Sequence, residues 1–472
     1  MGGLLGLRSK LGREVRFCLG LAVPLALAQL AQMAAGFFDT VMMGWLGSEV
    51  IAAGGLGSVT FNFLMMVANG ILSAVSPLVA EAFGAGKADR VRRIFWQGII
   101  LALLLAVGCM GLLGAAGWWL PLLGQAPELV PLTQSYLGTV LWALPAAFVL
   151  IALRSFVAAV GQPRPVMVIV VLGTVLNVLG NFGLALGKLG LPALGLEGVA
   201  LATVLAFGVM AMAMAVYIGW QPQLRRYCLL VQLPRLEGQE LRELLQVGLP
   251  IGGLAAVEGG LFAVTSFLMA VFGTAALAAH QVALQTAALT FMVPMGVSMA
   301  ATIRVGQLLG QGQYDVARRA GRVAIAIGGG FMGAMALLIW LAPRLIVALY
   351  LDISDPAQQP VVAMAASLLG VAAVFQIVDG IQVTAAGALR GLKDTRIPLL
   401  IGVMSYWCIG LVTGYGLAHW GGLGPMGLWW GLAAGLLVAA VTLSWRFNRL
   451  MAVRLEGWAG PRSLNNGEDA IG

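Results

Sequence analysis

Long apolar runs, broken by short charged or Pro/Gly stretches, succeed one another along the whole chain. A bilayer core about 30 Å thick is crossed by about 20 apolar residues in a helix. The pattern therefore predicts twelve membrane helices, near 16–39, 51–80, 94–118, 128–153, 165–187, 198–220, 243–272, 276–303, 318–341, 360–388, 397–419 and 425–447. The expected fold is an all-α integral membrane protein with two six-helix lobes. The first lobe covers 1–220, a polar linker 221–242 lies on the inner side, and the second lobe covers 243–472 with a short cytoplasmic tail. The linker, with Gln-Pro, arginines and glutamates, would suit an amphipathic segment on the inner surface.

Shifting the chain by 226 residues brings its halves into register. Gly84, Gly86, Asp89, Arg92 and Arg93 fall on Gly310, Gly312, Asp315, Arg318 and Arg319, and Pro24 falls on Pro250. Six helices per half give both halves the same orientation, and parallel repeats of this kind place substrate sites near the midplane. The first apolar run, with its basic start and Ala26-Leu27-Ala28, imitates a cleavable signal peptide. Its match to an internal span instead identifies it as the first membrane helix. The repeated Gly-x-Gly-x-x-Asp-x-x-Arg-Arg reads as a helix end, an acidic cap and a basic anchor to the inner leaflet. No strand precedes it, so it is not a phosphate loop.

Charge fixes the orientation. With the N-terminus inside, 25 of the 27 Lys and Arg residues fall in inner segments, and Lys188 and Arg344 alone fall outside. That asymmetry is the positive-inside rule, and places both termini in the cytoplasm. The net charge of +8 then reflects topology rather than a nucleic-acid footprint. Hydrophobic residues make up 60% of the chain, which excludes a soluble domain. Cys18, Cys109, Cys228 and Cys408 have no metal-type spacing and read as apolar fillers or free thiols. Trp118, Trp119, Trp340, Trp420, Trp429 and Trp430 fall near outer span ends, as an aromatic belt would.

Against this background three carboxylates stand out deep in apolar stretches, Asp39, Glu258 and Asp379. An ionised group at the bilayer centre costs at least about 2.5–3.5 kcal/mol on insertion scales. None of the three has Arg or Lys within its own apolar stretch, so each must take a proton, bind a cation or face water. Ion-coupled transport is the reading this favours. The repeat separates the three: Glu258 corresponds to Gln32, and Asp39 to Thr265. The lobes thus share a backbone plan but carry their acids at different positions.

The chain resembles the multidrug and toxic compound extrusion (MATE) family, in its bacterial NorM-like branch. The resemblance rests on Phe37-Phe38-Asp39-Thr40 with Met43-Gly44, on Gly248-Leu249-Pro250 with Glu258, and on Asp379-Gly380 with Ala388-Leu389-Arg390-Gly391. It implies efflux of organic cations and amphipathic drugs from the bacterial inner membrane, in exchange for inward Na⁺ or H⁺. It also implies that Glu258 and Asp379 form the coupling-ion site, with no other cofactor. In the N-lobe it implies a proton or substrate pocket of Asp39, Asn177, Asn181 and Thr203. Some members carry Asp where Asn181 stands, so this pocket has one fewer charge. Interhelical hydrogen bonding suits Asn177 and Asn181 equally well. Gln281, Gln285 and Phe291 are drug-cleft candidates, although the glutamines serve equally as interhelical glue. Some relatives place a tyrosine about where Phe291 lies. The expected partners are small cationic or amphipathic molecules and membrane lipid, with no nucleic acid, and the chain is expected to be a monomer.

Two further polar residues have plainer readings. Glu81 reads as a solvated or Arg-paired surface group, and His280 as a satisfied helix-end residue rather than a proton relay. A membrane enzyme would need a nucleophile with its base or a metal cluster, and neither is present in the pattern. A channel would need a repeated filter motif. The nearer rival is a flippase for lipid-linked sugar or polysaccharide. Basic residues lining its cleft would mark it, whereas the intramembrane charges here are expected to be all acidic.

Overall fold

The computed structural model describes residues 2–459 except 123, 189, 226 and 228–236, and side chains within 11–456. No strand occurs among the described residues. The long helices are α1 (Gly2–Leu46), α2 (Ser48–Gly84), α3 (Ala88–Gly114), α4 (Leu129–Val140 with Ala143–Ala159), α5 (Pro163–Ala185) and α6 (Gly195–Trp220). They continue with α7 (Gly238–Val271), α8 (Thr274–Gly310), α9 (Tyr314–Leu341), α10 (Pro356–Gly391), α11 (Arg396–His419) and α12 (Pro425–Ala459). Eleven are each long and apolar enough to cross a membrane, and α4 makes the twelfth if its two pieces, bent by 46°, count as one span. Such helices satisfy their backbone hydrogen bonds internally, as hydrocarbon requires. The predicted helices match in number and order, with most ends displaced by a few residues; α1 begins well before the expected start at 16, and α12 runs well past the expected end at 447. Part of the polar linker, Cys228 and the end of the tail lie outside the described residues.

The repeat is visible in the helix boundaries. Ser48 and Thr274 open α2 and α8, and Ala88 and Tyr314 open α3 and α9, each pair 226 residues apart. Gly86 and Gly312 take φ of 69° and 72° in the two matching turns, a conformation open to glycine at no steric cost. One detail differs from expectation. Lys87 and Gln313 hold the N-cap positions, while Asp89 and Asp315 sit inside the first turn and form no cap. There they complement the positive end of the helix dipole instead.

Two compact units emerge, one of Pro24–Phe83 with Lys87–Ala256, the other of Met1–Val23, Gly84–Gly86 and Val257–Gly472. The divisions fall inside α1 and α7, whereas the sequence pattern put them at the polar linker. Ion pairs account for part of this. Glu14 on α1 receives two hydrogen bonds from Arg304 of α8, at 2.9 and 3.1 Å, within the second unit. Its repeat counterpart, Glu240 on α7, receives one from Arg93 of α3 at 2.6 Å, within the first. Each helix start is thus clasped by an equivalent glutamate to the unit that holds it.

In the first unit, Leu72, Val79, Ile94, Phe148 and Phe156 anchor a continuous apolar core. In the second, α11 and α12 approach closely through Gly410 and Gly414 on one side and Gly427, Gly431 and Gly435 on the other. A Cβ at Gly431 would collide with the backbone of Gly414. Paired Gly-x-x-x-Gly stretches are how helices pack where lipid is as apolar as leucine. Trp429, expected in the outer belt, is instead fully buried, whereas Trp118, Trp340, Trp420 and Trp430 are exposed.

Candidate functional site

Each unit holds a cluster of polar groups around a carboxylate, and a π-helical turn supplies a side chain to each. A π turn inserts one residue into a helix and re-aims the side chains there, and such turns recur at functional sites. In the first unit it covers Asn181–Ala185 at the end of α5. In the second it covers Met404–Leu411 in the middle of α11. These are the fifth helices of the two halves.

In the first unit, fully buried Asn181 donates from Nδ2 to Asp39 Oδ1 at 2.6 Å. One turn earlier, Asn177 Nδ2 donates to Thr203 Oγ1 at 3.3 Å, and Thr203 in turn donates to the Val199 carbonyl. The four predicted residues therefore do come together. Asn177, Asp39 and Thr203 border a cavity of about 300 Å³ that also meets Gln32, Asn69 and Arg154. The side-chain oxygens of Asn177 and Asn181 are buried without a hydrogen-bond donor. They are acceptors ready for a proton-bearing or cationic ligand.

Arg154 was expected in an inner loop, and the structure places it elsewhere. It lies inside α4, is only 6% exposed, and donates to Gln32 Oε1 at 2.9 Å and Asn69 Oδ1 at 2.7 Å. The apolar run continues past it through Val160, and that continuation is the signal that marks it as internal. The buried charges of the helices are therefore not all acidic.

In the second unit, Glu258 of α7 and Asp379 of α10 lie within electrostatic reach of each other. Asp379 is 6% exposed, and its Oδ1 has no hydrogen-bond donor. Tyr406, from the π turn, lies within electrostatic reach of both acids and accepts a hydrogen bond from Gln382 Nε2 at 2.6 Å. The next residue, Trp407, donates to the Val257 carbonyl at 3.1 Å, pinning the turn beside Glu258. Arg390, in the last turn of α10, also acts electrostatically on Glu258, though without a direct ion pair. The acids are therefore not without a basic neighbour, as their own apolar stretches suggested. Tyr406 was not foreseen. Its aromatic-hydroxyl character is plain in the sequence, but its aim depends on the π turn.

The remaining candidates lie on α8. Gln281 and Gln285 are exposed and Phe291 is half-buried, and none of the three enters the hydrogen-bond network of either cluster. His280 is fully buried; Trp429 Nε1 donates to its Nδ1 at 3.2 Å, so the ring proton sits on Nε2 and faces Ser266 Oγ at 3.0 Å. Both nitrogens are satisfied, as a structural histidine requires. Glu81 lies 3.8 Å from Arg90, an Arg-paired group as expected.

The family model described as MatE matches residues 24–182 and 250–416, one match per half. The probable multidrug resistance protein NorM of Synechocystis sp. is 43% identical over 447 residues, covering 95% of this chain and 97% of that protein. The multidrug resistance protein NorM of Burkholderia vietnamiensis is 43% identical over 429 residues, covering 91% and 92%. Among solved structures, a MATE protein in complex with MaL6 is alike in fold, with a TM-score of 0.86 at 20% identity over 94% of this chain and 97% of that one. With both halves matched and such relatives spanning nearly its full length, the chain belongs to the MATE family of membrane transporters, in its NorM-like branch.

Proposed function

We propose that this protein is a multidrug efflux antiporter, exporting organic cations and amphipathic drugs in exchange for inward Na⁺ or H⁺ by alternating access. The observation that carries this reading is the Glu258–Asp379 pair, with Asp379 Oδ1 buried and unpartnered. Two carboxylates in a site of low dielectric either share a proton or bind a cation between them. With Tyr406 Oη and the unpartnered Gln382 Oε1 beside them, the oxygen set suits a hard cation such as Na⁺. The names of the relatives, multidrug resistance proteins, support the substrate class.

Asp39 with Asn177, Asn181 and Thr203 then serves as the proton or substrate pocket of the first unit. Gln281, Gln285 and Phe291 remain candidates for the drug path. The protein acts as a monomeric transporter rather than an enzyme, in the bacterial inner membrane, with both termini cytoplasmic and the coupling ion as its sole inorganic requirement. A flippase for anionic lipid-linked sugars gains from buried Arg154 and from Arg390. It gives no role to the paired acids, so efflux is the better reading. Expression in a pump-deficient bacterium should raise resistance to ethidium-like cations; unchanged resistance, with no ion-dependent flux in vesicles, would defeat it.

A further inference from the structure

Arg154 is a buried cation without a counter-ion. It has two hydrogen-bond partners, Gln32 and Asn69, both neutral, and no carboxylate lies within ion-pair distance among the described residues. Burying an unpaired charge is costly, so such groups are normally matched. Here the two amides satisfy only part of a planar fork of donors whose geometry matches a carboxylate. The same cavity, about 300 Å³, is bordered by Arg154 and by Asp39 with Asn177. It therefore presents one cationic and one anionic recognition point to a single occupant.

We propose that Arg154 is the carboxylate-binding residue of this cavity, which accepts zwitterionic amphipaths with their anionic end on Arg154 and their ammonium toward Asp39. Gln32 and Asn69 hold the guanidinium in place from α1 and α2. A charge-assisted fork on a carboxylate is stronger and more directional than a neutral hydrogen bond. An uncharged ester at the same position would leave the Arg154 charge unmatched. A plain organic cation would still find Asp39.

The proposal rests on the reading of the cavity as a substrate site, and its test separates the two. The probes are an aminomethyl-biphenyl carboxylate and its methyl ester, titrated calorimetrically into the full-length protein in lipid nanodiscs. The acid should bind at least about tenfold more tightly than the ester, a difference of about 1.4 kcal/mol. In Arg154→Gln the ratio should collapse to near one, and in Arg154→Lys, which keeps the charge but not the fork, a reduced preference for the acid should persist. Equal affinities in the wild type, or a preference that survives Arg154→Gln, would overturn it. Should the Gln variant bind neither probe, the Lys variant decides, and loss of the acid preference there also overturns the proposal. Ion-driven export of a plain cation by the wild type, measured alongside, shows whether the failure belongs to the carboxylate point alone or to the efflux reading as a whole.

Discussion

Asn181 Nδ2 stands 2.6 Å from Asp39 Oδ1, so the acid of this polar cluster is held by a neutral donor rather than by a second acid or a base. Replacing Asn181 with Leu would strip that donor and leave a half-buried carboxylate short of a partner, at a cost of about 1–3 kcal/mol. Drug binding should weaken and the melting temperature should fall together. Asn181→Asp should behave differently: two adjacent carboxylates must share a proton or hold a cation, so the variant should gain measurable Na⁺-dependent thermal stabilisation. Thermal melts with and without Na⁺ compare the two variants directly.

Tyr406 accepts from Gln382 at 2.6 Å and lies within electrostatic reach of both acids of the second unit. Tyr406→Phe keeps the ring and removes the oxygen. It should leave abundance and insertion as in the wild type, while raising the ion concentration for half-maximal transport several-fold. Flux measured over a range of Na⁺ at fixed pH, and over a range of pH without Na⁺, reads this out. Protons and Na⁺ compete for the same carboxylates, so if Na⁺ is the coupling ion its half-maximal concentration should rise as pH falls.

The two glutamate clasps should differ in strength. Glu14 and Arg304 are 12% and 18% exposed at their side chains and share two hydrogen bonds. Arg93 in the Glu240 clasp is 38% exposed. A double-mutant cycle should give the Glu14–Arg304 pair a coupling near the upper end for charged hydrogen bonds, about 1.5–3 kcal/mol, and the Glu240–Arg93 pair about 0–1 kcal/mol. High salt should erase the second before the first.

Gly431→Val places a branched side chain where α12 meets the backbone of α11 at Gly414. Neighbouring backbone cannot move aside as a flexible side chain would. Loss of folded protein, scored by size-exclusion fluorescence, is the expected result, whereas the same change at open Gly330 should be tolerated.

The twelve helices were legible because apolar length is set by the bilayer and the basic residues mark its inner side. The repeat was legible because Gly86 and Gly312 are fixed by backbone geometry. Pockets built from side chains a turn apart, such as Asn177 and Asn181, could also be read from helical spacing. Depth and aim could not. Arg154 sits where an apolar run nears its inner end, and only the continuation of α4 to Ala159 makes it internal. Tyr406 sits in a π turn that shifts the register of α11, which no periodicity in the sequence announces. Trp429 shares its surroundings in sequence with exposed Trp430, yet it turns inward to His280.

Glu258 and Asp379 as the seat of ion coupling is the claim on which the account turns. In proteoliposomes, export of an ethidium-like cation can be driven by a Na⁺ gradient at fixed pH or by a proton gradient without Na⁺. At least one gradient should drive export by the wild type, and neither should drive it in Glu258→Ala or Asp379→Ala, although both variants insert normally. Gradient-driven export persisting in both variants would contradict it.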